Sequence, residues 1–473
     1  MKLKRVSVQE LFGYLSYEFH LSQDEGVTII HGANGSGKST ILRAIEQSSR
    51  GIPVVLFQAP FNRISMHFDD DRTVHLHGRL SEGLVETPVS PRRKGARRTR
   101  RPQKKRATPA VSMTDASGAE IERWDLTKVE RSRGRRSSVR HYQFWRRRLL
   151  DNEYWLLNEV DPEELLFFTQ RATELGDDEV LACLMEADWD SLPSGVTLPD
   201  WLQDLWRNFK CSIIEEQRLL TNRGSPRRHD YGDTPFTRVV TTFSADIKEQ
   251  ISDHLNNYAT SSQKLDRSFP NRVIGALKDE PPSVKEVRAK LTELSDKARR
   301  LQLAGLLDEA PSVAEELTYK ELRRKTVRRI LAPYITDTAS KLNSLDRIYR
   351  KIKLFESLLN DHFSHNEVAV SRQAGLRFMS PHGGPISPST LSSGEQHIVV
   401  LFFRLLFGDL SSGHLVLIDE PELSLHPRWQ LRFIDDLQQI RSLVECDFIL
   451  ATHSPEIAAT HRHLMRELAG GRG

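Results

Sequence analysis

Residues 28–40 read TIIHGANGSGKST, with Gly32, Gly37, Lys38 and Ser39 at the spacing G-x-x-x-x-G-K-[ST]. That is the pattern of a phosphate-binding loop. Glycines at positions 32, 35 and 37 can take backbone angles that aim successive N–H groups at phosphate oxygens. Asn34 lies among them. A helix starting at Ser39 and Thr40 would point its positive N-terminal end at the same anion. Lys38 can reach the β- and γ-phosphates of a nucleotide, and Ser39 can ligate Mg²⁺.

Four further stretches follow in a fixed order. SIIEEQRLL places Gln217 just past an apolar run; a glutamine alone is uninformative, and a polar loop residue explains it equally. TLSSGEQHIVVLFFRLLF sets Ser392, Ser393, Gly394 and Glu395 before a long apolar helix. Small residues there let an anion approach the helix end, although helix capping alone would explain Ser393. HLVLIDEPELSLHP delivers Asp419 and Glu420 at the end of a buried apolar run. Unpaired buried charge is costly, and Mg²⁺ is the natural reason for two acids there. Asp419 can hold the metal through water, and Glu420 can polarise an attacking water as general base. FILATHSP ends a second apolar run near His453, 34 residues after Asp419. A lone histidine after a strand is usually structural, but here it can sense a γ-phosphate by hydrogen bond.

These groups need elements to carry them. Residues 27–30, 210–215, 415–418 and 448–451 read as strands, the last two as neighbours in a parallel sheet, and residues 39–46 as a helix. Such a sheet binds ligands at its carboxyl edge. NRISMHFDDDRTVHLHGRL alternates at period two on both sides of residues 69–71, which predicts a hairpin on an antiparallel side sheet. His75 and His77 share one face of that hairpin and read as surface positions, not metal ligands. Residues 85–120 are rich in Pro, Arg, Ser and Gly and read as disordered. Residues 121–210 are helical and Trp-rich. Residues 283–360 have the spacing of an antiparallel helical arm, interrupted at Pro311 and Pro333.

The chain has 473 residues, 38% hydrophobic and 28% charged, with net charge +4, which is ordinary for a soluble protein of two or three domains. No secretory h-region or membrane-spanning apolar run is apparent, so a cytoplasmic location is expected. Cys183, Cys211 and Cys446 form no C-x-x-C pair, which argues against a zinc site and for a reducing compartment. Residues 91–106 hold ten Lys or Arg and no acid. Residues 92–106 could therefore bind DNA or RNA through phosphates, without sequence preference since no aromatic is present; a solvated loop without a partner is equally compatible.

Taken in order, residues 32–39, Gln217, 391–396, 415–420 and His453 resemble the Walker A, Q-loop, signature, Walker B and switch-histidine motifs of ABC-type ATPases. The LSSGEQ and DEPELSLHP forms resemble the soluble SMC-like and OLD-like branch of the AAA family, not membrane transporters. The resemblance implies ATP and Mg²⁺ as ligands, with Ser39, Gln217 and Asp419 at the metal and Glu420, His453 and Gln217 in hydrolysis. It implies a homodimer or higher homo-oligomer in which Ser392, Ser393, Gly394 and Glu395 meet the nucleotide of the other copy and residues 424–426 form the D-loop. The implied fold is α/β: a head with a mostly parallel P-loop sheet, an antiparallel side sheet and a helical lobe with short helical inserts. Its expected parts are residues 1–80 and 363–473 as the two ends of the head, 81–120 as a basic insert, 121–209 as a helical insert, 210–282 as the Q-loop region and 283–362 as an arm.

The sequence departs from relatives in having no long coiled coil, no zinc hook and only twenty residues after His453, so no TOPRIM nuclease domain is expected. It is similar to stand-alone ATPase subunits of bacterial anti-phage systems such as PARIS, Septu and some retrons, which implies a separate nuclease or toxin as effector. SSQKLDRSFPNRV, residues 261–273, shares in this likeness but suggests no mechanical role. The alternative is an SMC-like DNA-repair or DNA-maintenance ATPase acting directly on DNA.

Overall fold

A computed structural model describes residues 1–49, 59–78, 80, 110–125, 200–215, 235–308 and 317–468. Gln217, the basic run 92–106, Pro311 and most of the expected insert at 121–209 lie outside the described residues. The chain divides into two compact units: residues 1–218, 411–441 and 445–473, and residues 219–410 with 442–444.

In the first unit five parallel strands lie side by side in the order β14-β3-β13-β12-β8. They are β3 (Val27–His31), β8 (Cys211–Glu215), β12 (Leu415–Asp419), β13 (Asp447–Thr452) and β14 (Met465–Glu467). Val27, Ile29, Ile30, Val416, Leu417, Ile449 and Leu450 are fully buried. Unbroken apolar runs of this kind suit a sheet covered on both faces. The register puts Ala451 opposite both Ile30 and Asp419, so the central strands end level. Helix α1 (Lys38–Ser48) follows β3 and buries Ile41, Leu42, Ala44 and Ile45.

An antiparallel sheet shares the core of this unit, in the order β2-β1-β4-β5-β6-β7. Its strands are β1 (Leu3–Leu11), β2 (Leu15–His20), β4 (Arg63–Phe68), β5 (Thr73–His77), β6 (Ala110–Thr114) and β7 (Glu120–Asp125). The β4–β5 hairpin turns at residues 69–72, as the alternation predicts. Two expectations are corrected. Residues 110–114, placed in the disordered stretch, form a buried strand, and Trp124, placed in a helical insert, sits on β7 facing the core. Val111, Met113 and Trp124 fill one face of the sheet; a strand of five residues is too short to show through the polar composition around it. The histidine pair is also not at the surface. His77 is 5% exposed, with Nε2 2.8 Å from the Ser112 hydroxyl. His75 bridges the Ser65 hydroxyl at 2.8 Å and the Thr114 hydroxyl at 3.1 Å. Burial first, and then the nearby Arg63 and His67 charges, push the His75 imidazole down to about 4. Helix α2 (Asp200–Asn208) buries Trp201, Leu202 and Leu205, and its Asp204 pairs with Arg72 at 2.8 Å.

The second unit is built on helices α3 (Pro235–Ala276), α4 (Val284–Leu303), α5 (Lys325–His362) and α6 (Ser393–Phe407), with a three-stranded antiparallel sheet of β9 (Glu367–Ser371), β10 (Gly375–Met379) and β11 (Pro385–Ile386). A full capping box at Ser283 and Glu286 starts α4. The 42-residue α3 lies within residues 210–282, the span expected as the Q-loop region. Pro333 does not interrupt the arm: it lies inside α5, flanked by buried Leu331 and Ile335, whose packing holds the helix across the missing hydrogen bond. Residues 261–273 acquire a mechanical role here. Asp266 pairs with Lys341 at 2.7 Å, and Arg272 pairs with the buried Asp337 while donating to the Leu265 carbonyl at 2.6 Å. The stretch clamps α3 to α5. Nearer α6, Phe243 stacks on Phe403 with ring centroids 3.7 Å apart. Among the described residues no helix is long and apolar enough to cross a membrane.

Candidate functional site

The carboxyl edge of the parallel sheet gathers three chain segments. β3 leads through residues 32–37 into α1, β12 ends on Asp419 before Glu420, and β13 ends on Thr452 before His453. Gly35 and Gly37 have φ of +79° and +84°, which side chains rarely adopt. At Gly37 a Cβ would also lie 2.3 Å from Leu11 Cδ2, so β1 of the antiparallel sheet presses directly on the loop. Asn34 and Gly35 are exposed, Gly32 and Gly37 buried, and Ser39 and Thr40 half-buried on the first turn of α1.

Lys38 is 4% exposed. Its ammonium donates to the carbonyls of Gly32 at 2.9 Å and Ala33 at 3.3 Å, and lies 2.7 Å from His453 Nε2. Burial lowers it below the usual lysine range, and the carboxylates of Glu420, Asp419 and Glu422 pull it partly back. The same His453 Nε2 lies 3.1 Å from Glu420 Oε1. One imidazole nitrogen cannot serve both neighbours in the same form: bare, it accepts from Lys38; protonated, it donates to Glu420.

Glu420 reaches this position through strain. Its φ is +50°, the left-handed region, and its backbone N–H donates to the Ala451 carbonyl at 2.8 Å. Positive φ in a bulky residue is uncommon and clusters where geometry serves function. Pro421 then starts a short 3-10 turn, Pro421–Ser424.

Lys38, His453 and Glu420, singled out in the sequence, are therefore in contact, and Asp419 closes the same edge. Ser392, Ser393, Gly394 and Glu395 lie in the other unit, at the start of α6. Ser392 rather than Ser393 is the N-cap. Glu395 Oε2 accepts from the Ser392 backbone N–H and hydroxyl, both at 2.8 Å, and the Ser392 hydroxyl accepts from the Glu395 N–H at 3.3 Å. This capping box satisfies the helix end locally.

Two residues of the first unit escaped sequence reasoning. The Ser36 hydroxyl is buried in the loop with no hydrogen-bond partner among the described residues. Glu422 accepts from the backbone N–H groups of His453 at 2.6 Å and Ser454 at 3.2 Å. Its position two residues past Glu420, behind a proline, was a visible signal without a partner to give it meaning.

The loop fits a nucleotide's phosphates: its glycine turns cannot hold side chains, and it carries a buried lysine and an orphaned hydroxyl. Ser39 and Asp419 offer hard oxygen donors of the kind Mg²⁺ takes.

Comparison with known proteins gives matching findings. The family described as "AAA domain, putative AbiEii toxin, Type IV TA system" matches residues 202–459, more than half the chain, and a further AAA-domain family matches residues 5–50. A curated relative, "Retron Vc95 probable ATPase" of Vibrio cholerae serotype O1 biovar El Tor, is 27% identical over 163 residues, 31% of this chain and 31% of its own length. The chain thus spans about a third of that relative. Among solved structures, the Smc head domain of Pyrococcus furiosus bound to the C-terminal domain of ScpA aligns over 97% of this chain and 91% of that one, at 14% identity and a TM-score of 0.35. A second Smc head, bound to the winged-helix domain of ScpA, aligns over the same shares at 13% identity and a TM-score of 0.33. These likenesses are too loose to carry the fold, which stands on the strand order itself.

Proposed function

The chain belongs to this AAA-domain family, and from that premise we propose that it binds and hydrolyses ATP as a nucleotide-driven switch. The observation that carries the proposal is the contact of Lys38, His453 and Glu420, drawn from three separate strand ends onto one edge. Lys38 would neutralise the β- and γ-phosphates, with Gly32, Asn34, Gly35, Gly37 and Thr40 shaping the cradle. Ser39, Asp419 and Gln217 would hold Mg²⁺, which when bound neutralises charge on the transferred phosphoryl group. Glu420 would draw a proton from the attacking water, and His453 would sense the γ-phosphate by moving its Nε2 between partners.

The signature residues Ser392, Ser393, Gly394 and Glu395 would meet the nucleotide of a second copy, and residues 424–426 would line the contact between copies. The γ-phosphate then joins two subunits, and hydrolysis loosens them. Family likeness and the retron relative support a role as sensor or scaffold subunit of a bacterial anti-phage defence system, holding a separate nuclease or toxin. The second function, direct action on DNA in repair or maintenance, is favoured by the basic run 92–106. Deleting residues 92–106 and following DNA binding against salt separates the two; an unchanged salt slope removes the run from function.

Size-exclusion chromatography tests the switch. Glu420→Gln should elute as a larger species with ATP than without, and Lys38→Ala should not respond. An elution volume unmoved by ATP in Glu420→Gln contradicts assembly driven by nucleotide.

A further inference from the structure

We infer that Glu422 is a positioning residue that sets the switch histidine through its backbone, an inference that rests on the ATPase function proposed above. His453 sits at the exit of β13, where the ladder with β12 ends and the backbone needs new partners. Glu422 supplies them: its Oε1 accepts from the N–H of His453 at 2.6 Å and of Ser454 at 3.2 Å. The Ser454 N–H also reaches the Thr452 hydroxyl at 2.9 Å.

The backbone around Glu422 is itself held from the far side. Gln430 donates through Nε2 to the Glu422 carbonyl at 3.3 Å and the Leu425 carbonyl at 2.9 Å, and its Oε1 accepts from the Ser454 hydroxyl at 2.7 Å. The left-handed turn at Glu420 and its N–H donation to Ala451 complete the join. The segment that carries the proposed general base is therefore bonded, atom to atom, to the segment that carries the proposed sensor. A shift of one moves the other, and misplacement of about 1 Å in such a site costs on the order of 100-fold in rate.

Acceptance of two N–H bonds needs an oxygen at that place, not a charge. Glu422→Ala should lower kcat for ATP about tenfold or more while KM and the stoichiometry of ATP binding stay near wild type. Glu422→Gln keeps an acceptor oxygen and should recover most of the loss. A residue needed only for folding would instead lower the binding stoichiometry along with kcat. Should Glu422→Ala fail to fold, Glu422→Asp, one methylene shorter, carries the same test. Amide exchange on the nucleotide-free chain judges the contact apart from turnover. The His453 and Ser454 amides should exchange faster in Glu422→Ala than in wild type and return toward wild type in Glu422→Gln. Unaltered exchange in Glu422→Ala overturns the contact, and a Glu422→Gln variant as impaired as Glu422→Ala overturns the acceptor role. A wild-type chain that never turns over ATP breaks the ATPase function alone and leaves the exchange result to decide on Glu422.

Discussion

The edge of the parallel sheet and the N-terminus of α6 carry motifs of equal clarity, yet their residues are satisfied in different ways. At the sheet edge Lys38, Glu420 and His453 meet across 415 residues of sequence, and each depends on the others. At α6, Ser392 and Glu395 satisfy each other over three residues and would do so in an isolated helix. The first cluster exists only in the folded chain. The second is closed mainly by its own cap, with one further bond from Asn366 Nδ2 to Glu395 Oε1 at 3.4 Å, so a ligand there competes chiefly with that cap.

The largest expected effect falls on the interdependent region. Glu420→Gln should lower kcat by about 10²–10⁴, the range of a lost general base, with ATP affinity retained. A comparable loss of affinity would show Glu420 to be a binding group instead. Next comes the clamp in the second unit. Arg272→Ala leaves Asp337, 5% exposed, without its guanidinium, and chemical denaturation should register a loss of about 3 kcal/mol. An apolar pair in place of both should restore most of it, and an unaltered midpoint in the single variant would dismiss the clamp.

Smaller is the pH dependence of the antiparallel sheet. His75 folds as the neutral form, with its ring held at about 4 against an ordinary 6.5. Between those values the unfolded chain binds more protons, so stability present above pH 6.5 is lost as pH falls towards 4. The loss is on the order of 1–2 kcal/mol after allowance for solvent screening, and His75→Gln should flatten that part of the curve. The smallest effect separates cap from ligand contact at α6. Ser392→Ala should cost about 1 kcal/mol in stability as a lost N-cap. If it also abolishes ATP-dependent assembly of Glu420→Gln, the cap residue meets nucleotide as well; if assembly persists, Ser392 is a cap only.

The same contrast governs what could be read from sequence. The loop at residues 32–39 and the strand ends at Asp419 and His453 were legible because buried strands and glycine turns leave periodic, punctuated patterns. The partners of Glu422 were not, since the donors it accepts from are backbone N–H groups 31 and 32 residues away, which leave no trace in residue type. Strands β6 and β7 hid inside a polar stretch, and the buried His77 looked like a surface residue because Ser112, its partner, sits on β6. Helix α3 was missed although its length is 42 residues; Pro270 and a weak apolar stripe concealed it, and packing against α5 with the Asp266 and Arg272 ion pairs holds it.

Calorimetric titration of MgATP into the full chain bears most directly on whether the loop, the two acids and the histidine form one nucleotide site. Wild type and Glu420→Gln should each bind one nucleotide per chain, and Lys38→Ala should show binding at least about 100-fold weaker or none. Equal binding by wild type and Lys38→Ala would contradict a triphosphate held at this edge of the sheet.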